Sequence, residues 1–83
     1  MKPVRYSKDA IRTLRGTPRL TAERIREKVA AYAADPASQA ASVKALKGEP
    51  GVLRLRVGDW RVIFEDGAVI AVIRIGPRGG VYD

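Results

Sequence analysis

Residues 54–83 of this sequence contain several arginines and one tyrosine, namely Arg54, Arg56, Arg61, Arg74, Arg78 and Tyr82. An arginine guanidinium presents a planar set of N–H donors that fits the oxygens of a phosphate, and a tyrosine hydroxyl can exchange a proton. Since the chain contains neither histidine nor cysteine, imidazole bases, thiolate nucleophiles, disulfides and structural zinc sites are excluded. Any reaction must therefore use Arg, Lys, Tyr, Asp, Glu, Ser or Thr, and we expect no metal or other cofactor.

Length and charge narrow the class of protein. We expect one domain, residues 1–83, because 83 residues leave no room for a separate cofactor domain. No apolar run is long enough to span a membrane and no secretion signal is present, so a soluble, cytoplasmic protein is expected. Sixteen Lys and Arg residues against nine Asp and Glu residues give a net charge of +7, and eleven of the sixteen are arginine. This excess favours a polyanionic partner, although a coding bias toward Arg and Ala explains the composition equally well.

The N-terminal half predicts a strand followed by a helical hairpin. Residues 2–6 form a short strand that Pro3 restricts to a sheet edge or to its own start. Ser7 is a helix N-cap, and this first helix ends at Gly16. Thr17-Pro18 caps a second helix that ends at Asp35-Pro36. One stripe of the second helix is expected to be buried: Leu20, Ile25, Val29 and Tyr32.

Basic residues on the second helix alternate with acidic ones. Glu23 and Glu27 stand among four cations at spacings that allow ion pairs one helical turn apart. The cations are Arg19, Arg24, Arg26 and Lys28. This pattern is typical of a solvated helix face, so none of these arginines is assigned to a ligand.

The C-terminal half predicts a three-stranded antiparallel meander. Residues 36–51 form a turn-rich connection with room for one short helical turn over Val43–Leu46. Apolar residues then alternate along three segments joined by two-residue turns at Gly58-Asp59 and Asp66-Gly67. The segments are Val52–Val57, Trp60–Glu65 and Ala68–Ile75. The fold class is therefore α+β, ordered β-α-α-β-β-β, with the helical hairpin packed on one face of a mainly antiparallel sheet.

The expected turns decide which residues share a face of the meander. Residues that flank a two-residue turn oppose each other, so Val57 pairs with Trp60 and Glu65 pairs with Ala68. One face is then apolar and packs on the helices; it comprises Leu53, Leu55, Val57, Trp60, Val62, Phe64, Val69, Ala71, Ile73 and Ile75. The opposite face comprises Val52, Arg54, Arg56, Arg61, Ile63, Glu65, Ala68, Ile70, Val72 and Arg74.

Four arginines thus gather on one side of the predicted sheet, here named the arginine face: Arg54, Arg56, Arg61 and Arg74. The register places Arg56 opposite Arg61, and opposed like charges destabilise a sheet by about 0.2–1 kcal/mol. Folding gives no reason for this pair, whereas a phosphate bound between the two groups would turn the repulsion into charge-assisted hydrogen bonds. A solvated face is the simpler interpretation of any single arginine, but four together favour a phosphate site.

The tail from Gly76 to Asp83 adds Arg78 and Tyr82 to this inventory. A glycine pair at Gly79-Gly80 is typical of a frayed terminus. The alternative is that the tail folds back over the arginine face and supplies a phenol there. Periodicity does not distinguish these two interpretations.

Several consecutive motifs resemble one known family. They are Leu46-Lys47-Gly48, the run from Val52 to Phe64 with its Arg-x-Arg-Val-Gly-Asp-Trp-Arg-Val core, Ile73-Arg74-Ile75-Gly76-Pro77-Arg78, and Val81-Tyr82. The chain is similar in these motifs, and in its whole predicted layout, to the RelE/ParE superfamily of bacterial toxins. The resemblance implies a type II toxin–antitoxin system and the RelE-like fold.

The resemblance also implies roles for particular residues. RelE-like members cleave mRNA, commonly in the ribosomal A site, and have counterparts of four residues that would be catalytic here: Arg54, Arg61, Arg78 and Tyr82. Tyr82 would act on the 2′-hydroxyl, Arg54 and Arg61 would hold the scissile phosphate, and Arg78 would stabilise the leaving oxygen. The RNA backbone would be bound by Arg56 and Arg74.

Two departures keep other functions open. Val52 stands where the best-known active members have lysine, and Gly79-Gly80 replaces basic residues. The alternatives are a ParE-like inhibitor of DNA gyrase and an inactive toxin-derived protein that retains only partner binding. For all three, the resemblance implies a cognate antitoxin whose disordered segment folds on the toxin.

Overall fold

The protein forms a five-stranded sheet with two helices packed on one face. The structure, a computed structural model, describes residues 1–77. Its elements in chain order are strand β1 (Val4–Tyr6), helix α1 (Lys8–Arg15), helix α2 (Arg19–Ala34), a 3₁₀ helix (Pro36–Ser42), and strands β2 (Val43–Ala45), β3 (Val52–Val57), β4 (Trp60–Asp66) and β5 (Ile70–Pro77). The predicted α+β class is confirmed. Within the described residues no helix has the length and apolar character needed to cross a bilayer.

The sheet is mixed, with the strand order β1-β5-β4-β3-β2. The pairs β2–β3, β3–β4 and β4–β5 are antiparallel, whereas β1 pairs with β5 in parallel. The helical turn expected over Val43–Leu46 is wrong, because residues 43–45 form edge strand β2 instead. Three residues are too few for a two-residue period to be visible, and only pairing with β3 makes them a strand.

The helix ends depend on two hydroxyl groups. Ser7 is the predicted N-cap of α1, since its Oγ accepts a hydrogen bond from the Ala10 N–H at 3.0 Å. Thr17 does not cap α2: its Oγ1 donates to the carbonyl of Thr13 at 2.7 Å, and Pro18 occupies the N-cap. The Thr17 hydroxyl bonds back to the last turn of α1, so it is turned away from the start of α2.

The core lies between the helices and one face of the sheet. Its helical part includes Ala10, Leu14, Ile25, Val29 and Tyr32, and its sheet part includes Leu55, Val57, Val62, Phe64, Ile70, Val72 and Ile75. The rings of Tyr32 and Phe64 meet edge to face, with centroids 4.8 Å apart. Leu20 was predicted to be buried but is 71% exposed. It lies five residues before Ile25, about 140° around the helix, and Ala22 takes its place in the buried stripe.

The connection between β4 and β5 differs from the predicted two-residue turn. Asp66 pairs with Ile70 and Glu65 with Ala71, so the predicted pair of Glu65 and Ala68 is wrong. The pairing is shifted by three residues, and any odd shift moves the side chains of the strand to the other face. Ile70 therefore lies in the core, 1% exposed, while Ala71 joins the arginine face.

A β-bulge then restores the predicted faces near the end of β5. Ile63 pairs with Arg74 and Phe64 with Val72, which leaves Ile73 as the extra residue. Val72 is buried in the core instead of the arginine face, and Ile73, predicted to be in the core, is 42% exposed. Arg74 keeps its predicted face because the bulge adds one residue to the three-residue shift at the turn, and a total shift of four residues returns side chains to the predicted face.

Candidate nucleic-acid interface

The arginine face carries all four predicted sheet arginines. Its residues form three rows across the strands: Arg56, Arg61 and Gly76; Lys44, Arg54, Ile63 and Arg74; and Val52, Glu65, Ala71 and Arg5. Opposed residues in such rows have Cβ atoms about 4.5–5.5 Å apart. The rows therefore bring cations from all five strands onto one surface, and the helices lie on the other side of the sheet.

Arg56 and Arg61 are directly opposed, as predicted from the turn. Gly58 adopts a φ of 59° in that turn, a conformation that favours glycine. Arg61 is buried, and its Nη1 lies 3.3 Å from the carbonyl oxygen of Trp60 and 3.5 Å from that of Gly58. Arg56 is exposed and forms no ion pair within residues 1–77. The pair thus combines one cation held against the hairpin with one open to solvent.

Arg54 occupies the middle row, with Lys44 on one side and Ile63 on the other. Only 9% of Arg54 and 7% of Arg61 is exposed, and Ile63, next to Arg54 in the middle row, is also buried. Arginines are rarely buried to this extent. Because little water surrounds Arg54 and Arg61, their attraction for a bound anion is screened less than that of an exposed cation.

Arg74 ends the middle row near the helices and is balanced by a carboxylate of the same chain. Its Nε lies 3.8 Å from Oδ2 of Asp9 in the first turn of α1, and Oδ1 of Asp9 lies 3.8 Å from Nη1 of Arg12. All three side chains are at least half exposed. Exposed pairs of this kind contribute about 0–1 kcal/mol. A phosphate can therefore compete with Asp9 for Arg74.

Sequence reasoning missed two basic residues of this surface. Arg5 lies beside Ala71 and Lys44 beside Arg54, so they extend the arginine face to the β1 and β2 edges. Arg5 stands between Val4 and Tyr6, which pack on the core, the alternation typical of a half-buried strand, whereas Lys44 has such a neighbour only in Val43. The alternation around Arg5 is visible in the sequence, but the side of the sheet on which Arg5 lies depends on which strand pairs with β1.

Two predicted catalytic residues, Arg78 and Tyr82, lie outside the described residues 1–77. The remaining tyrosines are on the helix side of the sheet. Burial is the main cause that raises the pKa of Tyr32 to about 12, and the hydrogen bond that its hydroxyl donates to Asp66 Oδ2 at 2.6 Å adds to it. Burial also raises the pKa of Tyr6, with a smaller opposing effect from Arg26. Neither hydroxyl is placed or tuned to act as a base on the arginine face.

No other chemistry competes for the arginine face in the described part of the chain. Within residues 1–77, no three carboxylate-type or other metal-ligating side chains converge as a metal site requires. The strand residues of the face include a single carboxylate, Glu65, opposite Val52. The surface is therefore suited to bind an extended polyanion through its backbone.

This chain resembles known proteins in both sequence and fold. A family model described as the ParE toxin of the type II toxin–antitoxin system parDE matches residues 4–82. A search of curated proteins finds no match. A chain of the RelE–RelB complex from the archaeon Pyrococcus horikoshii OT3 is 26% identical, with a TM-score of 0.79 over 96% of this chain and 98% of that chain.

Two further structures share the fold. The isolated Escherichia coli RelE toxin is 16% identical with a TM-score of 0.79, over 98% of this chain and 88% of that chain. A chain of the Mycobacterium tuberculosis RelBE2 complex is 24% identical with a TM-score of 0.63, over 93% of this chain and 98% of that chain. Since the family model spans nearly the whole sequence and the fold agrees, this protein belongs to the ParE toxin family, within the RelE/ParE superfamily of type II toxin–antitoxin systems.

Proposed function

We propose that this toxin is a metal-independent endoribonuclease that cleaves mRNA and thereby inhibits translation, with the ribosome presenting the substrate. The observation that supports the proposal is the opposed pair of Arg56 and Arg61 on a surface whose described strand residues include a single carboxylate, Glu65. Repulsion between the two guanidinium groups costs folding energy, and a phosphodiester bound between them removes that cost.

Arg54 and Arg61 would bind the non-bridging oxygens of the scissile phosphate. Their burial and the backbone contacts of Arg61 restrict their motion, which suits groups that must stabilise a phosphorane without reorganising. The exposed Arg56 and the half-exposed Arg74 would bind the flanking RNA backbone. This division follows the difference in solvent exposure along the two basic rows.

Tyr82 and Arg78 would complete the reaction from the tail. Tyr82, in its phenolate form, accepts the proton of the 2′-hydroxyl, the 2′-oxygen forms a bond to phosphorus, and the bond from phosphorus to the 5′-oxygen breaks. The products are a 2′,3′-cyclic phosphate and a 5′-hydroxyl, which takes its proton from the now neutral Tyr82, restoring the phenolate, or from water. Arg78 would offset charge on the leaving oxygen. The helix-side location of Tyr6 and Tyr32 supports Tyr82 by elimination.

A cognate antitoxin is the expected protein partner. The similar P. horikoshii RelE was solved in complex with RelB. A net charge of +7 favours a partner segment that offers acidic residues to the arginine face or packs a helix in an apolar groove. Co-purification of the toxin with the product of an adjacent reading frame that relieves toxicity tests this expectation.

The nuclease proposal is tested with Tyr82→Phe and, as a matched control, Tyr6→Phe. Primer extension on mRNA from induced cells should show cleavage sites with the unaltered chain and with Tyr6→Phe. Tyr82→Phe should lose them while RNA affinity changes by less than about twofold, because the lost hydroxyl acts on the reaction rather than on phosphate binding. Unchanged cleavage by Tyr82→Phe would reject the catalytic role of the tail.

The second candidate is a ParE-like inhibitor of DNA gyrase. The matching family model is that of ParE, and Val52 is half buried on the arginine face opposite Glu65, where a RelE-like nuclease has lysine. Induced expression separates the two functions. Loss of transcripts supports the nuclease, a DNA-damage response with intact transcripts supports gyrase inhibition, and normal growth supports an inactive toxin-derived protein.

A further inference from the structure

A small cleft lies where the first turns of helix α2 meet the hairpin that joins β3 to β4. Its volume is about 220 Å³. It is lined by Thr21, Arg24, Val57, Gly58, Asp59 and Trp60. Pockets that enclose drug-sized ligands measure about 300–1,000 Å³, so this cleft has room for one small planar group. The sequence pattern of α2 assigned none of its arginines to a ligand, and only the fold places Arg24 beside the hairpin.

Arg24 and Asp59 line this cleft with opposite charges but do not pair with each other. Both residues are exposed, and among the described residues neither takes part in an ion pair. A guanidinium supplies N–H donors, and a carboxylate supplies two acceptor oxygens. The cleft therefore offers both kinds of group to a ligand that lies between them.

Trp60 supplies the aromatic surface of the cleft. It is half-buried, packs on the core and pairs with Val57 across the hairpin. Contact with the core restricts the motion of the ring, so stacking a ligand on it costs less conformational entropy. Bases of single-stranded RNA stack on aromatic side chains and are distinguished by hydrogen bonds to their edges. The cleft thus has the components of a nucleobase site.

The two charged groups select among the four RNA bases. A carboxylate can accept hydrogen bonds from two adjacent donors, and guanine alone carries two on one edge, its N1–H and its N2 amino group. The O6 and N7 atoms of guanine accept hydrogen bonds from an arginine. Adenine, cytosine and uracil each offer a single donor group on the equivalent edge. A phosphate is a poor occupant, because Asp59 repels it.

The cleft adjoins the phosphate site proposed above. Arg61 Nη1 lies 3.3 Å from the carbonyl oxygen of Trp60 and 3.5 Å from that of Gly58, and both of these residues line the cleft. Only the hairpin turn therefore separates the cleft from the guanidinium that would hold the scissile phosphate. An RNA strand bound at Arg61 brings the base of a neighbouring nucleotide close to the cleft.

We propose that this cleft binds a guanine base of the RNA next to the cleaved phosphate and so directs where the toxin cuts. The base stacks on Trp60, its N1–H and N2 amino group donate to Asp59, and Arg24 donates to O6 and N7. This inference rests on the proposed ribonuclease function and adds a sequence preference to it.

The fluorescence of Trp60 reports on the cleft directly, since it is the only tryptophan of the chain. The probes are five-nucleotide RNAs with a guanine, adenine or cytosine at the centre of four uridines. Their 2′-hydroxyls are methylated, so that no 2′-oxygen can attack the phosphate. The guanine probe should quench the fluorescence and bind at least about tenfold more tightly than the other two, because guanine alone satisfies both charged groups.

Two pairs of variants assign this preference to the cleft. Asp59→Asn should weaken binding of the guanine probe about tenfold and abolish the preference, because an amide has only one acceptor oxygen. Asp35→Asn makes the same change of charge at an exposed residue outside the cleft and should keep the preference. Arg24→Gln should also abolish it, whereas Arg19→Gln, on the same helix outside the cleft, should not. The Arg24 pair decides the question if Asp59→Asn does not fold.

Cleavage sites mapped by primer extension should lie next to guanines with the unaltered chain and lose this bias in Asp59→Asn. Equal affinity for the three probes, absent quenching, or a preference kept by both cleft variants overturns the site, even if the protein cleaves RNA. Guanine-selective quenching in a protein that does not cleave RNA supports the base site and counts against the nuclease. Guanosine monophosphate that binds as tightly as the guanine probe makes a free nucleotide the ligand and overturns the assignment to RNA.

Discussion

Helix α2 and the arginine face are both rich in arginine, yet the arginines of the two regions have different neighbours. On α2, Arg19 Nε lies 3.7 Å from Oε1 of Glu23, one turn along the helix, and both side chains are exposed. On the sheet, Arg56 opposes Arg61, and Glu65 is the single carboxylate among the described strand residues of that face. The helix thus offsets part of its charge with carboxylates one turn away, whereas the sheet places cations directly opposite each other.

The difference teaches that arginine content alone does not locate a binding site. Neighbours on a helix are three and four residues apart, so acidic residues placed at those spacings compensate the cations wherever the helix packs. Neighbours on a sheet come from different strands, so charge accumulates only when the register brings basic residues together. Burial of Arg54 and Arg61 then increases the strength with which an anion is attracted.

The comparison is tested most strongly by removing one arginine from each region. Arg61→Ala should lower mRNA cleavage at least about 100-fold, because a preorganised cation that stabilises the phosphorane is lost. Arg19→Ala, on the solvated helix face, should leave the rate within about twofold. Cleavage is measured by primer extension on a defined transcript. Equal losses in two folded variants would show that total charge, rather than placement, drives the reaction.

The next largest effect is expected for the stability of the fold when Asp66, a carboxylate on the helix side of the sheet, is changed. Lys2 and Tyr32 both donate to Asp66, and the Lys2 hydrogen bond is the main cause that lowers the pKa of the Asp66 carboxyl from 3.8. The ionised form therefore stabilises the fold above pH 3.8, and this stabilisation is lost as the pH falls through the lower pKa of the folded state. Asp66→Asn should cost about 1.5–3 kcal/mol at neutral pH and reduce the acid sensitivity.

Asp9→Asn is the matched control for that change. Asp9 pairs with Arg12 and Arg74 at 3.8 Å on the surface, so its substitution should cost less than about 1 kcal/mol. Urea unfolding at neutral pH and near pH 3 measures both variants. A smaller loss of stability in Asp66→Asn than in Asp9→Asn would contradict the role assigned to the hydrogen bonds that Asp66 accepts from Lys2 and Tyr32.

The smallest expected effect is an increase in stability, in contrast to the losses predicted above. Arg56→Thr removes the like-charge opposition to Arg61, so the free energy of unfolding should rise by up to about 1 kcal/mol. The same variant should bind RNA more weakly, with the slope of log affinity against log salt reduced by about 0.7 for a single strand. Arg19→Thr, which breaks an exposed helical pair, should lower stability by about 0.3–0.5 kcal/mol. Loss of stability in Arg56→Thr would mean that this arginine serves the fold.

The parts of the structure predicted correctly depend on residues close together in the chain. Ser7 caps α1 through Ala10, and the two-residue turn at Gly58-Asp59 sets the opposition of Arg56 and Arg61. These interactions span only a few residues, and the types of those residues determine them. The arrangement at the centre of the candidate site therefore follows from the sequence alone.

Other features depend on contacts between distant segments. The longer turn between β4 and β5 places Ile70 and Val72 in the core, and the bulge at Ile73 returns Arg74 to the arginine face. Strand β2, and with it Lys44 on the arginine face, exists only through pairing with β3, and the face of Arg5 was decided by β5. The sequence determined that a basic hairpin would form. Tertiary packing decided how far the basic surface extends and how deeply its arginines are buried, since both depend on which strands meet.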